Sequence, residues 1–355
     1  MSVGKPLPVK STTLEEVQRD WRRLDADDFS TPGGARLVSH EDFSKEPGGE
    51  EVEYIRPGPL ASLFRFAPIL FNLLYAWRLL RHTKRNAVLI LNGGGLLWLF
   101  VGLLNRFGML RARKIMLWDP FVEVRDGWRR AVVRAAMSSF RLTVVWSRKQ
   151  VDSHAEWLGL PRERFVFIPW KANHSKGPCY RLPIENYVFS GGNGKRDYQT
   201  LADAVRDTGI PVIISSTDSA VRSQIERLPN IIPVAAGEPA FAQLQAGARF
   251  TVVPMVDTGL KGGGEANMCN GMWHAKPVIA ADRMAADDYI VEGETGYIVS
   301  PGDATSLRRR ILELWNNPEK CGAMGQKAKE HVEANFTHEA LIRRLLRLAK
   351  LCGGP

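Results

Sequence analysis

Short apolar runs alternate with longer segments of mixed polarity along most of the chain. The runs in the first half are AVLILN (87–92), KIMLWD (114–119), LTVVWS (142–147) and FVFIPW (165–170), and GARLVSHEDF contains a candidate first strand. The runs in the second half are YVFSGG (187–192), PVIISS (211–216), NIIPVAA (230–236), FTVVPM (250–255) and KPVIAAD (276–282). Strands that alternate with helices are typical of a parallel sheet covered on both faces. The pattern therefore predicts an α/β fold with two doubly wound domains.

The segment KANHSKGPCYRLPIEN interrupts this alternation. It is polar, contains two prolines and spans residues 171–186, so we interpret it as a linker. It would join a domain at 1–170 to a domain at 187–335, with the two facing each other across a cleft. Residues 336–355 contain the basic amphipathic helix HEALIRRLLRLAKL, which could pack back on the first domain.

Residues 59–85 are unlike the other helical segments. We predict one helix, apolar on nearly every side up to Trp77 and strongly basic after it. A membrane-spanning helix needs about 20 mostly apolar residues, but Arg65 and Pro68 interrupt this run. Two interpretations remain open: a buried helix of the first domain, or an interfacial helix with its apolar face in lipid. The cations that would contact lipid headgroups are Arg78, Arg81, Lys84 and Arg85.

Composition narrows the class of protein and its partners. The 355 residues are 45% hydrophobic, which excludes a disordered chain. The formal net charge of +10 suits a nucleic acid, an anionic membrane face or a phosphorylated substrate. The four cysteines have no paired spacing, so we expect neither a zinc site nor a disulfide framework. We therefore expect a cytoplasmic protein, with peripheral attachment to the inner face of a membrane as an open alternative.

A glycine-rich turn, SGGNGKRDYQTL, follows the first strand of the second half. Exposed N–H groups of such a turn and of the helix that follows it attract phosphate. Lys195 and Arg196 would add positive charge. The alternative is an ordinary strand–helix turn with surface cations. The candidates here for binding the phosphorylated substrate, called the donor below, are Gly191, Gly192, Asn193, Lys195 and Arg196, together with Val234 on a later strand.

A second glycine-rich turn precedes the helix that begins near Glu265. Glycine allows a ligand to approach the backbone closely, and the helix dipole favours an anion at this end. Glu265 either caps its own helix or accepts hydrogen bonds from sugar hydroxyls. The donor-binding candidates here are Lys261, Gly262, Gly263, Gly264, Glu265, Ala266 and Asn270.

Two glycine turns with cations beside them indicate a diphosphate compound. The dinucleotide fingerprint G-x-G-x-x-G does not follow AVLILN or YVFS, and G-x-x-x-x-G-K-[ST] does not occur. We therefore expect a nucleotide carrier rather than NAD or a nucleoside triphosphatase substrate.

Further motifs follow the second turn, namely AKPVIA (275–280), GETGYIV (293–299) and PGD (301–303). Together with SGGNGKRDYQTLADA they resemble the C-terminal half of group 1 (family 4) glycosyltransferases, over about residues 187–345. The first half is similar only in its rhythm. The resemblance implies two Rossmann-like domains of the GT-B type. It also implies a UDP- or GDP-sugar as donor substrate, no metal or cofactor, and Arg196 in the donor-phosphate position.

The resemblance is incomplete at positions that contact the donor in the family. The family commonly carries two glutamates seven residues apart on the helix before the Pro-Val-Ile strand, and the corresponding positions here are Gly263 and Asn270. The family's arginine, five residues before the basic position, is Gly191. On this basis Glu265 would replace the first glutamate, and Asn270 would hydrogen-bond a ribose. The departures also leave open an inactive member.

Catalysis would need a general base from the first domain. Asp119, which follows a strand and precedes a proline, is our candidate, together with Glu265 in the second domain. The alternative for Asp119 is an Asx turn. Glu123 and Asp126 lie close by in sequence. Gly93, Gly94 and Gly95 would form the acceptor-side loop.

We thus predict a metal-independent glycosyltransferase that moves a sugar from a nucleotide-sugar to an acceptor hydroxyl. A lipid-linked or membrane-surface glycan precursor is the expected acceptor, because of the basic segment and the excess positive charge. The rivals are an enzyme that glycosylates DNA or another macromolecule, which would bind DNA with a steep salt dependence, and a non-catalytic nucleotide-sugar-binding protein.

Overall fold

The computed structural model describes residues 12–31, 35–63, 66–84, 87–108, 114–120, 127–177, 179–180, 182–228, 230–256, 263–283 and 285–354. The chain divides into two compact units. The first comprises Met1–Val145, Gln150–Ile168 and Ile342–Pro355, and the second comprises Trp146–Lys149 and Pro169–Leu341.

The strands and helices follow the predicted alternation. The strands are β1 (Arg36–Ser39), β2 (Val52–Tyr54), β3 (Ala87–Asn92), β4 (Lys114–Trp118), β5 (Leu142–Val145), β6 (Phe165–Phe167), β7 (Val188–Gly191), β8 (Val212–Ser215), β9 (Ile231–Val234), β10 (Thr251–Val253), β11 (Val278–Ala281) and β12 (Gly296–Val299). The helices are α1 (Leu14–Arg19), α2 (Pro59–Leu63), α3 (Pro68–His82), α4 (Leu97–Arg106), α5 (Trp128–Met137), α6 (Arg148–Leu158), α7 (Tyr198–Val205), α8 (Ser219–Ile225), α9 (Ala240–Gly247), α10 (Glu265–Trp273), α11 (Ala286–Tyr289), α12 (Ala304–Trp315), α13 (Pro318–Asn335) and α14 (His338–Cys352).

Each unit contains one six-stranded sheet, and its strands pair in parallel. The first sheet has the order β2-β1-β3-β4-β5-β6 and the second the order β12-β11-β10-β7-β8-β9. The direction of winding reverses between β1 and β3 in the first sheet and between β7 and β10 in the second. Ligands of doubly wound sheets bind beyond the carboxyl ends of the strands at such a point. The predicted α/β fold of two doubly wound units is confirmed.

Side chains alternate between two buried faces along the strands of the second sheet. Val188 belongs to a core with α7 and α12, while the next residue, Phe189, packs in a cluster with residues of α9. Val252 and Val253 divide in the same way, and Val253 joins the core formed with α10 and α13. Burial on both faces explains why these strands are continuous apolar runs.

The predicted single helix at 59–85 is wrong. The structure has two helices there, α2 and α3, and Pro68 is the first residue of α3. Proline suits this position because the first N–H of a helix has no intrahelical partner. α3 buries Tyr75, Ala76, Leu79 and Leu80 on one face. No helix among the described residues has the length and apolar character needed to cross a membrane.

The segment interpreted as a linker belongs to the second unit. It contains a 3-10 helix at Asn173–Lys176, in which His174 is buried. The C-terminal part of α14 belongs to the first unit. There Arg344 donates from Nε to Asp25 at 2.8 Å, and its guanidinium lies 4.2 Å from the ring centroid of Trp21.

Candidate functional site

The first glycine turn lies at the switch point of the second sheet. β7 ends at Gly191, and α7 begins at Tyr198. The N-cap residue Asp197 accepts a hydrogen bond from Thr200 N at 3.0 Å. Gly192 has a φ of +124°, and Lys195, which is exposed, has a φ of +56°. A side chain at Gly192 would be strained in that conformation.

Gly191 is required by packing within the unit. A Cβ on Gly191 would lie 2.6 Å from the ring of Phe241, which also packs edge-on against Phe189. The position that carries arginine in the resembling family is therefore covered by an aromatic ring in this chain. The Gly191 carbonyl accepts a hydrogen bond from Asn267 Nδ2 at 2.7 Å, which ties the turn to α10.

Arg196 folds back over this turn. Its Nε donates to the Gly191 carbonyl and its Nη1 to the Gly194 carbonyl, both at 3.1 Å. Burial lowers the pKa of the guanidinium, and the nearby charge of Glu265 acts in the opposite direction. Nη1 also donates to Met255 Sδ at 2.8 Å, and within the described residues no hydrogen bond uses Nη2.

The second turn leads into α10. Gly264, with a φ of +89°, is the N-cap residue, and a Cβ there would lie 2.8 Å from Val253. Of the two alternatives for Glu265, the structure does not support capping, because Glu265 is the first helical residue and the N-cap position, Gly264, has no side-chain hydrogen bond. Glu265 is buried, with 8% of its surface exposed. Gly263 precedes the cap, and Lys261 and Gly262 lie outside the described residues.

A cavity of about 250 Å³ opens between the carboxyl ends of β7, β8 and β9 and the start of α10. It brings together four of the predicted donor-binding residues, which are Gly192, Asn193, Ala266 and Asn270. Val234 does not line the cavity itself but lies two residues before the lining residue Ala236. The Val234 carbonyl accepts a hydrogen bond from Ser216 N at 3.0 Å.

Asn193 holds the cavity wall together. Its side-chain oxygen accepts hydrogen bonds from Ser216 Oγ at 2.9 Å and Thr217 N at 3.0 Å. Its Nδ2 donates to Thr217 Oγ1 at 2.8 Å. The first turn is thus bound to the residues after β8, and Asn193 contributes to the cavity mainly by fixing its shape.

A buried network that the sequence did not predict adjoins Asn270. His174 Nε2 lies 2.8 Å from Glu238 Oε1, and His174 Nδ1 lies 2.9 Å from His274 Nε2. Asn270 Oδ1 accepts a hydrogen bond from the backbone N–H of His174 at 3.2 Å. Glu238 lines the cavity, and its side chain is 58% exposed.

The positions of the protons in this network follow from the carboxylate at its end. Glu238 can only accept, so His174 Nε2 carries a proton, and Nδ1 of the neutral His174 ring is an acceptor. His274 Nδ1 is buried and makes no hydrogen bond within the described residues. Burial, with the neighbouring charges of His174 and Lys276, lowers the pKa of His274 to about 3, so the ring is neutral. His274 therefore carries its proton on Nε2 and donates it to His174 Nδ1.

This assignment leaves the Asn270 amide group available to a ligand. His174, as acceptor at Nδ1, carries its proton on Nε2 and donates to Glu238. Asn270 Nδ2, at 3.2 Å from that nitrogen, then faces an N–H group to which it cannot donate. Its amide protons are left to whatever occupies the cavity that it lines.

The predicted residues of the first unit also meet at a switch point. Gly93 follows β3 and donates its N–H to the Trp118 carbonyl at 2.7 Å, and its Cα lies against the backbone of Asp119. Gly94 N donates to Asn92 Oδ1 at 2.6 Å, and Gly95 has a φ of +74°. The loop of Gly93–Gly95 thus lies beside Asp119, whose own φ is +55°.

Glu41, two residues after β1, interacts electrostatically with Asp119 and was not predicted. Burial and the charge of Asp119 raise the pKa of Glu41 to about 7. A carboxyl group that titrates near neutrality can exchange protons with a substrate. Glu123 and Asp126 lie outside the described residues.

The described residues contain no group of three His, Cys, Asp or Glu side chains arranged to hold a metal ion.

Residues 265–331 match the family model described as "Glycosyl transferases group 1". Over this segment the chain is similar to the group 1 glycosyltransferases. The segment runs from the first residue of α10 into α13 and contains the motifs AKPVIA, GETGYIV and PGD, whereas SGGNGKRDYQTLADA precedes it. The match confirms the recognised resemblance over this segment.

Curated proteins are similar to this chain over short stretches. The chain is 39% identical over 83 residues to a trehalose synthase of Pyrococcus horikoshii, which is 23% of this chain and 20% of that protein. It is 40% identical over 62 residues to the lipopolysaccharide core biosynthesis mannosyltransferase LpcC of Rhizobium leguminosarum, which is 18% of each protein. The matches therefore span about a fifth of the length of these relatives.

Solved structures share the fold over most of the chain. A glycosyltransferase from Rickettsia africae superposes with a TM-score of 0.65 at 15% identity, covering 89% of each chain. HepE of Anabaena, in complex with UDP-glucose, superposes with a TM-score of 0.56 at 16% identity, covering 98% of this chain and 96% of that one. At these identities the likeness establishes the GT-B type of fold alone.

Proposed function

We propose that the protein is a glycosyltransferase that uses a nucleotide-sugar as donor. The observation that carries this proposal is the cavity at the switch point of the second sheet, where the Gly192 turn and the start of α10 meet. Arg196 donates hydrogen bonds to two carbonyl groups of that turn. Backbone N–H groups at a helix start, with a cation beside them, suit a diphosphate. The similarity of residues 265–331 to group 1 glycosyltransferases supports a nucleotide-sugar as the compound that carries this diphosphate.

The donor class is a nucleoside diphosphate sugar, with UDP-sugars first. HepE, which has the same fold over nearly its whole length, is described as a complex with UDP-glucose. A GDP-sugar is the second candidate. A cavity of about 250 Å³ is smaller than the usual range of about 300–1,000 Å³ for ligand sites. We therefore assign it to the nucleoside and its phosphates, without the transferred sugar.

Transfer would proceed without a metal ion. The leaving diphosphate gains negative charge as the sugar bond breaks, and preorganised positive groups stabilise that charge. Arg196 and the N-terminus of α10 supply such groups from this chain. Glu265, buried near Arg196, balances the guanidinium charge before the ligand binds and accepts a hydrogen bond from a hydroxyl of the donor sugar afterwards.

Asp119 would act on the acceptor hydroxyl. It follows β4 and lies beside the Gly93–Gly95 loop, which follows β3 next to the switch point of the first sheet. Its charge contributes to the raised pKa of Glu41. A carboxylate in that position can accept the proton of an attacking hydroxyl.

The acceptor would lie at an anionic membrane surface. The solvent face of α3 and of the residues just before it is apolar, with Phe66 85% exposed, Ile69 65%, Leu70 36%, Leu73 37% and Trp77 43%. These residues recur at helical spacing along one face. The same face continues with the exposed cations Arg81 and Lys84, and Arg81 lies 4.8 Å from the Trp77 ring centroid.

This combination fits a lipid interface. An apolar stripe followed by cations places aromatic and aliphatic groups in the acyl boundary and positive charge among anionic headgroups. The net charge of +10 acts in the same direction. A lipid-linked glycan precursor is therefore the proposed acceptor class.

The test is release of nucleoside diphosphate from a panel of UDP-, GDP- and ADP-sugars, with and without lipid-linked acceptors and with a chelator present. We expect one donor to be consumed, faster with acceptor, and equally fast in the chelator. Consumption of no donor by a folded protein that still binds the nucleotide would favour a non-catalytic binding protein instead.

A further inference from the structure

The cavity of the second unit contains one carboxylate whose position is fixed by buried histidines. Glu238 accepts a hydrogen bond from His174 Nε2, and His174 is in turn fixed by His274. Both histidines are buried, whereas the Glu238 side chain lines the cavity and is 58% exposed to solvent. One carboxylate oxygen is thus anchored, and the other remains open to a ligand.

The carboxylate and the Asn270 amide form a complementary pair. Glu238 offers acceptor lone pairs, and Asn270 offers amide protons that His174 cannot take. A hydroxyl group both donates and accepts, so a pair of adjacent hydroxyls matches this arrangement. Asn270 stands one helical turn beyond Ala266, which lines the cavity at the start of α10. One turn is about 5.4 Å, close to the step from a phosphate to the sugar that carries it.

We propose that Glu238 binds the vicinal diol of the ribose of the nucleotide, with His174 and His274 as positioning residues. This inference rests on the proposed function, because the nucleotide supplies the diol. The resembling family commonly has a glutamate at the position of Asn270, where this chain has an amide. The inference therefore assigns the carboxylate that contacts the diol to a different residue, Glu238. The carboxylate comes from the loop after β9, 32 residues earlier in the sequence.

The experiment is calorimetric titration with UDP, GDP and ADP, followed by the 2′-deoxy and 3′-deoxy forms of the nucleotide that binds best. The proteins are wild type, Glu238→Gln, His274→Leu, His274→Gln and the control Glu319→Gln, which changes an exposed glutamate of α13. Melting curves without ligand establish that each variant is folded.

We expect the wild type and the control to bind the deoxy nucleotides about tenfold or more weakly than the parent, as a lost hydrogen bond to a charged group implies. Glu238→Gln should bind the parent about tenfold more weakly and discriminate by less than about threefold, because the two changes remove the same interaction. His274→Leu should lose much of the discrimination. His274→Gln, whose amide can still donate to His174, should retain it.

Each other outcome is distinct. A Glu238→Gln protein that binds the parent nucleotide and still rejects the deoxy forms tenfold overturns the role of Glu238 and leaves the proposed function standing. Glu238→Gln could instead lose the preference among UDP, GDP and ADP while it still rejects the deoxy nucleotides. That result would mean that Glu238 contacts the nucleobase, and it would also overturn the proposed contact with the ribose diol. A wild type that binds no nucleotide overturns both proposals.

Discussion

His174 Nδ1 lies 2.9 Å from His274 Nε2, although the two residues are 100 positions apart in the sequence. One belongs to the segment before the second sheet and the other to the end of α10. Their contact joins those elements at the wall of the cavity. Because burial lowers the pKa of His274 to about 3, the pair also makes stability dependent on pH.

Acidification should destabilise the protein through His274. In the unfolded chain this histidine titrates near 6.5, so the unfolded state binds more protons between about pH 6.5 and pH 3. The stabilising contribution is present above pH 6.5 and is lost as the pH falls. In denaturant titrations between pH 6 and pH 4, His274→Gln should reduce the slope of unfolding free energy against pH by up to about 1.4 kcal/mol per unit.

The exposed His82 of α3 provides the matched control, as His82→Gln. An unchanged slope in His274→Gln would mean that the buried ring does not carry this pH dependence.

Asp119→Asn should slow sugar transfer by about 100-fold or more in kcat, as expected for loss of a general base. The donor KM should change little, because the donor cavity belongs to the second unit. Asparagine tolerates the left-handed backbone that Asp119 adopts at φ +55°, so the variant should fold. Steady-state kinetics with a saturating acceptor would measure the effect.

Asp207→Asn is the control for that substitution, since Asp207 is exposed and has a φ of +59°. Full activity in Asp119→Asn would contradict the role as general base and would favour the alternative, in which Asp119 forms a structural turn before a proline.

The exposed face of α3 should bind anionic vesicles. Trp77→Ser should weaken binding to phosphatidylcholine vesicles containing phosphatidylserine by about tenfold, the scale of one large apolar side chain removed from an interface. Arg81→Glu should weaken binding to these vesicles. The binding that remains should depend less on salt concentration than the binding of the wild type does. Vesicle sedimentation measures both effects.

Ile184→Ser, at a residue that is 64% exposed in the second unit, tests whether any exposed apolar side chain has the same effect. Equal binding of Trp77→Ser and wild type to the vesicles would contradict the proposal that the exposed face of α3 binds an anionic membrane.

Much of the fold was predictable because both sheets bury both of their faces. Strands in that position are continuous apolar runs, and AVLILN corresponds to β3 without a shift at either end. β2 was missed because only Val52 of its three residues is buried, and its neighbours in the sequence are acidic. α13 was missed because small and polar residues dominate its 18 positions and only five are buried.

The candidate site was predictable only where glycine and helix starts mark it. The turn at Gly192 and the start of α10 both have local sequence signals. Glu238, His174 and His274 have none, because their contact depends on how three distant segments pack. Gly191 illustrates the same limit: its neighbour Phe241, which excludes a side chain there, is 50 positions away.

Thermal denaturation of wild type, Arg196→Ala and the exposed-residue control Arg227→Ala, each with UDP, GDP, ADP and their sugar conjugates, tests the central claim most directly. A nucleotide at about a hundred times its Kd should add about 2.7 kcal/mol of stability. We predict that one nucleotide series stabilises the wild type and Arg227→Ala. Arg196→Ala should lose most of that gain relative to its own unliganded melting temperature. Equal stabilisation of Arg196→Ala, or no stabilisation of the wild type by any nucleotide, would contradict a donor site at the Gly192 turn.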